Sequence, residues 1–158
     1  IYRRDFLLKN DLHFVKGIYH EDSEFKPRAV YLAKRITSDI EVSYNYYQRS
    51  SGSIMSSFSV KRATDILFVN DNLYNFSLNI DKKCIYIFYR MIGMNINTLL
   101  YGYRELTSKD KKAVRLMLKN NTLSFKCMMY SKKMKYIVEG VFFRININLG
   151  FMLHKLLR

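Results

Sequence analysis

Ser108-Lys-Asp-Lys-Lys-Ala-Val-Arg-Leu-Met-Leu-Lys-Asn-Asn121, then Lys132-Lys-Met-Lys-Tyr-Ile-Val-Glu-Gly-Val-Phe-Phe-Arg-Ile-Asn-Ile-Asn-Leu149, is the stretch on which the fold turns. Its first half reads as a basic amphipathic helix. Thr107 or Ser108 caps it, and Thr107 with Asp110 makes a variant of the capping box, with Asp where Glu or Gln is usual. Ala113, Leu116 and Met117 share one face, while Lys112, Arg115 and Lys119 line the other flank. Asn120-Asn121 weakens the helix, though Leu123, Phe125, Met128 and Met129 can continue it. The second half reads as a basic strand. Phe143, Ile145, Ile147 and Leu149 alternate with Arg144, Asn146 and Asn148, the period of two of a half-buried strand. Gly150 breaks it, and residues 151–158 form a second strand or a terminal helix.

Working upstream, Ile66–Val69 reads as a short strand and Asn70-Asp71-Asn72 as a turn. Tyr74, Phe76, Leu78 and Ile80 alternate with Asn75, Ser77 and Asn79, a second strand. Asp81-Lys82-Lys83 turns again, and Cys84–Tyr89 is a third, more buried strand. Three strands with short turns predict an antiparallel meander. Met91–Tyr103, bracketed by Gly93 and Gly102, fits neither period. The expected fold class is therefore α+β: a small antiparallel sheet packed against one or two helices, with an N-terminal helical extension.

The Ser/Gly cluster at 50–57 marks the best internal boundary. It divides an N-terminal extension, residues 1–60, from an α+β RNA-binding module, residues 61–158. In the extension the first ten residues can form a short helix. Glu21-Asp22-Ser23-Glu24 is a solvated acidic loop or the lead-in to the next helix. Pro27 suits a first helical turn, so a helix is expected from about Pro27 to Ser38. Val30, Leu32, Ala33 and Ile36 would be its buried face, and Lys34 and Arg35 would suit its C-terminal dipole. Tyr44, Tyr46 and Tyr47 with Arg49 are expected to pack on a sheet; stacking on bases is the alternative.

The 158 residues hold 27 Lys+Arg against 13 Asp+Glu, a net charge of +14 with pI near 9.8. A hydrophobic content of 49% is that of a globular chain and too high for disorder. The charge is uneven: residues 104–158 hold 13 Lys+Arg against 3 Asp+Glu, and residues 1–103 hold 14 against 10. Solubility alone asks for a magnitude of only ~2–8. The excess points to a polyanion, nucleic acid first and an anionic membrane surface second. Cys84 and Cys127 have apolar neighbours and no CxxC spacing, so both are expected as buried thiols in a reducing compartment. No run of about 18 apolar residues predicts a transmembrane helix. Tyr, Phe, Ile, Asn and Lys have AT-rich codons, which suits an organelle, a large DNA virus or some parasites. The initial Ile is that of a fragment, a processed product or an unusual start codon.

Catalytic patterns are missing. His13, His20 and His154 have no metal-ligand spacing, and no GxSxG, HExxH, Walker or GxGxxG motif occurs. No carboxylate pair stands in an apolar setting that would tune an acid and a base. The expectation is a protein that is not an enzyme and needs no metal or cofactor. The candidate RNA-binding residues are Lys111, Lys112, Arg115, Lys119, Lys126, Lys132, Lys133, Lys135, Arg144 and His154. If about six phosphates are neutralised, the log–log salt slope is roughly −4 to −5. The interleaved Asn residues add neutral donors for phosphate or 2′-OH groups.

Asn120-Asn121, Tyr130 with Lys132-Lys133, Gly140-Val141-Phe142-Phe143-Arg144, and Leu149-Gly150-Phe151 with His154 together resemble the large-subunit ribosomal protein six family, of bacterial or organellar type. That family has a β-meander, a helix, and a Lys-Lys turn into a strand bearing Gly-Val-Gly-Tyr-Arg, and ends its module with Leu-Gly-Tyr-Ser-His. Val69–Leu78 is similar to its opening strand. The likeness spans residues 64–155 with gaps. Phe142 replaces the second motif glycine, the opening Gly-Pro pair is missing, and the first 60 residues have no counterpart. The resemblance implies a structural constituent of a mitochondrial ribosome. It would bind rRNA near the base of the stalk, beside neighbouring ribosomal proteins in the matrix, without a cofactor. The alternative is a viral matrix-like or host-interaction protein, in the virion or host cytoplasm, that binds anionic membrane or nucleocapsid. An enzyme acting on nucleic acid would need a metal-binding carboxylate cluster that the sequence lacks.

Overall fold

Thr107 caps a helix as its spacing requires. Its backbone is extended (φ −61°, ψ 161°), its Oγ1 accepts the Asp110 N–H at 3.2 Å, and the hydroxyl donates to the Asp110 carboxylate at 2.8 Å. In this computed structural model, which describes residues 1–38, 40, 41, 47 and 57–157, that helix is one of eight among the described residues. They are α1 (Arg4–Lys9), α2 (Glu21–Leu32), α3 (Val60–Ser77), α4 (Ile85–Gly102), α5 (Ser108–Asn120), α6 (Thr122–Met129), α7 (Met134–Ile145) and α8 (Ile147–Leu156). A single 3₁₀ turn, Tyr103–Glu105, leads out of α4.

The expected α+β fold is corrected: about 70% of the described residues are helical and none of them lies in a strand. Ile66–Val69, the Asn70-Asp71-Asn72 "turn" and most of the next alternating run are one helix, α3. The turn reading failed because Asn70 is not a surface residue. It is 1% exposed, donates from Nδ2 to Ser124 Oγ at 3.2 Å, and accepts from Asn95 Nδ2 at 2.9 Å. With Asn70 counted as inward, the buried positions from 66 on are Ile66, Leu67, Val69, Asn70, Leu73 and Ser77, a helical period. Cys84–Tyr89 and Met91–Tyr103 likewise join in α4, whose apolar face buries Phe88, Ile92, Ile96 and Leu99. The Gly140–Leu149 strand is α7, a corner at Asn146, and the start of α8.

Two asparagines make the sharpest corners. Asn121 ends α5 and caps α6, its Oδ1 accepting the Ser124 N–H at 3.1 Å. Asn146 ends α7 and caps α8, its Oδ1 accepting the Asn148 N–H at 2.7 Å. Each side chain satisfies one of the N–H groups that a helix start leaves without an internal partner.

The main core lies between α3, α4, α5, α6 and α7. Ile66, Leu99, Val114, Leu118, Phe125 and Met128 are all 2% exposed or less. At about 1.5–3 kcal/mol for each fully buried aliphatic, this layer dominates the stabilisation. The apolar face of α5 is rotated from the expected one: Val114 and Leu118 are buried and Leu116 is 61% exposed. A second cluster, Val69, Leu73, Phe88, Ile92 and Cys127, sits beyond it. Cys127 is a buried free thiol whose pKa burial pushes up to about 12; Cys84 is also free but half-buried, at the start of α4.

At the N-terminus, α2 begins six residues before Pro27, so the acidic run is its first turn, where Glu21, Asp22 and Glu24 meet the positive end of the helix. It ends at Leu32, leaving Lys34, Arg35 and Ile36 beyond it, exposed. Its buried residues are Glu24, Phe25 and Ala29, with Glu24 held by Arg28 at 2.6 Å. Tyr31 reaches the rest of the fold edge-on to Phe76 and Phe88. The Ser/Gly boundary, apart from Ser57, and Tyr44, Tyr46 and Arg49 lie outside the described residues.

His20 precedes α2 in a left-handed conformation (φ 64°), with its Nε2 3.5 Å from the Arg62 guanidinium. Burial first, then Arg62, hold its imidazole below the usual 6.5, against weaker opposite pulls from Asp22, Glu21 and Asp65. The unfolded chain therefore binds this proton more readily than the folded one. The contribution of His20 is present above about pH 6.5 and lost as pH falls from there through the lower native value. An NMR titration is expected to place His20 below 6.5; a value at or above it would remove this source of acid sensitivity.

Candidate functional site

The C-terminal half of α5 faces the α7–α8 corner across an open groove of about 640 Å³. Lys112, Arg115 and Lys119 line it from α5, at helical spacings of three and four residues, and Arg144 lines it from the last turn of α7. Asn146 and Asn148 complete the opposite wall. No acid is among the lining residues, and among the described residues no ion pair ties any of the four cations to a carboxylate. Arg115 is held in place: its guanidinium lies 5.0 Å from the centre of the Phe151 ring. Arg144 Nη1 lies 3.7 Å from Met129 Sδ. Four unneutralised positive charges around one concavity raise its potential and draw anions to it.

The other six candidates lie elsewhere. Lys111 turns back over Tyr103, at 6.0 Å, and Lys133 sits 4.7 Å over Tyr136. Lys126 and Lys132 belong to a separate pocket rich in tyrosine. Lys135 and His154 line a third, with Asn97 and Tyr101. His154 is a structural residue as much as a surface one. It is 6% exposed, and its Nδ1 donates to the fully buried Glu139 carboxylate at 2.8 Å.

One feature of this side of the molecule went unread in the sequence. Leu149 (38% exposed), Met152 (54%) and Leu156 (74%) recur at helical spacing along α8, and Ile145 (69%) is exposed at the end of α7. The inward side of α8 carries Gly150 and His154, and Asn148 and Lys155 are exposed along with the apolar residues. Leu116 and Ile145, both exposed, also line the groove, so the cations and the start of the apolar stripe adjoin. The stripe was hidden because alternation from 143 to 149 assigned Ile145 and Leu149 to a buried strand face.

Among the described residues no cluster of three or more His, Cys, Asp or Glu could hold a metal ion, and no helix is long and apolar enough to cross a membrane. No family model, curated protein or solved structure matches the chain. The ribosomal resemblance implies a meander and a Gly-Val-Gly-Tyr-Arg strand, whereas Gly140–Arg144 here lie within α7.

Proposed function

We propose that the chain is a non-catalytic docking protein that lies against an anionic membrane surface through α5, the α7–α8 corner and α8. One observation supports this above all: the groove of four cations runs directly into an exposed aliphatic stripe. A polyanion alone would require only the cations. Interfaces with nucleic acid are polar and wet, and leave Ile145, Met152 and Leu156 without a role. A bilayer surface uses both, with headgroup phosphates on the lysines and arginines and aliphatic side chains dipping past them. Each cation near such a surface contributes ~1 kcal/mol, so the groove gives reversible binding that the stripe reinforces.

Vesicle flotation tests it. At low salt the protein is expected to float with vesicles of about 30% anionic phospholipid and to stay behind with neutral ones. Replacing Lys112, Lys119 and Arg144 together by Gln removes ~3 kcal/mol, roughly a hundredfold in affinity. Leu149→Ser with Met152→Ser is expected to weaken binding about tenfold with the salt dependence unchanged. Absence of flotation at any salt would sink the reading.

A second reading, structural RNA binding within a ribosome of the mitochondrial matrix, is favoured by the same four cations standing beside Asn146 and Asn148. It predicts tight RNA binding without flotation, with a log–log salt slope of roughly −3 to −4 for four contacts.

A further inference from the structure

Away from the groove, the last turns of α3, the first turns of α4, and α6 with the turn after it enclose a pocket of about 470 Å³. Four of its walls are aromatic: Tyr74, Tyr86, Tyr89 and Tyr130. Lys82, Lys126 and Lys132 stand around them, all three exposed, and no carboxylate is among the lining residues. The volume is within the range of small-molecule sites, about 300–1,000 Å³.

The arrangement is more specific than a gap between helices. Tyr74 and Tyr89 lie nearly parallel, 16° apart in plane. Tyr130 is 60% exposed, so its ring is available at the mouth. Lys132 holds its Nζ 4.4 Å from the centre of the Tyr86 ring, which sets a positive charge beside an aromatic face. In the turn between α6 and α7 Lys132 has φ +56°, a left-handed conformation, and its carbonyl accepts from Arg90 Nη2 at 3.4 Å. A simple anion would need the lysines and not the rings. An acyl chain would need neither the lysines nor the phenol groups. A flat heteroaromatic ring carrying a phosphate uses both, because stacking accepts any base and the ammonium groups take the phosphate.

We propose that this pocket is a nucleotide site, with the base stacked on Tyr130 and the phosphate held by Lys126 and Lys132. The site is independent of the docking surface, sharing no lining residue with the groove. The occupant is either a free nucleotide or one unit of a single strand, and the two are separable by titration.

Four probes are titrated into the full chain by calorimetry: UMP, AMP, ribose 5-phosphate and a single-stranded oligouridine. UMP and AMP are expected to bind about tenfold or more tighter than ribose 5-phosphate, which has the phosphate and no base. Tyr130→Ser should shrink that ratio and leave ribose 5-phosphate binding unchanged, whereas Lys132→Gln should weaken all four probes. Tyr130 is a surface ring, so its variant keeps the fold and carries the test. An oligouridine that outbinds UMP by more than its number of units assigns the site to a strand; equal binding per unit assigns it to free nucleotides. Equal affinity for UMP and ribose 5-phosphate, an unchanged ratio in Tyr130→Ser, or no binding of any probe would each overturn the proposal.

Discussion

Glu139→Ala is expected to destabilise the fold strongly, by about 3–5 kcal/mol. Glu139 is 0% exposed. One carboxylate oxygen accepts from His154 Nδ1 at 2.8 Å and the other from Asn97 Nδ2 at 2.8 Å, so the side chain joins α4, α7 and α8 at one point. Truncation opens a cavity and strips the buried His154 Nδ1 of its acceptor, while the half-buried Asn97 keeps only its bond to the Gly93 carbonyl; the cost of the stranded donor exceeds the net worth of the bond lost. Glu139→Gln keeps an acceptor for one donor and should cost about 1–3 kcal/mol. Glu139→Leu combined with His154→Leu removes donor and acceptor together and should be less destabilising than the sum of the two single changes. Urea unfolding of the five variants, the two single leucine changes included, measures this. A loss below about 1 kcal/mol for Glu139→Ala would mean that the three helices do not depend on this point.

Gly140→Ala comes next, at about 2–3 kcal/mol. An added methyl would stand 2.8 Å from the Phe125 carbonyl oxygen and 3.0 Å from Met128 Cβ. The nearer atom is backbone, so relief requires α6 and α7 to separate. The ordinary gain of about 1 kcal/mol for Ala over Gly inside a helix is not enough to offset this. The expected result is a lower urea midpoint with an unchanged slope. A neutral or stabilised Gly140→Ala would show that the two helices have room between them.

These two neighbours also explain what the sequence concealed. Val138-Glu139-Gly140-Val141 resembles a strand with a charged outer face, and only burial shows Glu139 pointing inward. Asn70 misled in the same way: a buried polar residue interrupts an apolar period and looks like a turn. The apolar run of α4 was broken in the reading at Arg90 and Gly93. Taken whole, its 18 residues suit a helix far better than a strand. Helix α5 was legible because its signals are local: a capping threonine, an acidic first turn, and basic residues on the solvent side. The groove was legible only in part. Lysines and arginines announce a positive surface in any fold, but which of them converge depends on the α7–α8 corner, which a strand reading places elsewhere. The aliphatic stripe was invisible for the same reason.

The corner at Asn146 has one further consequence. Because a single residue separates α7 from α8, there is no slack between them. One residue inserted in the first turn of α8 would turn the rest of that helix by about 100° and advance it by about 1.5 Å. His154 would swing away from Glu139, and Leu149 and Met152 would change the direction they face. The length of this chain segment is therefore fixed to the residue, so drift here should proceed by exchange of side chains and not by gain or loss of positions.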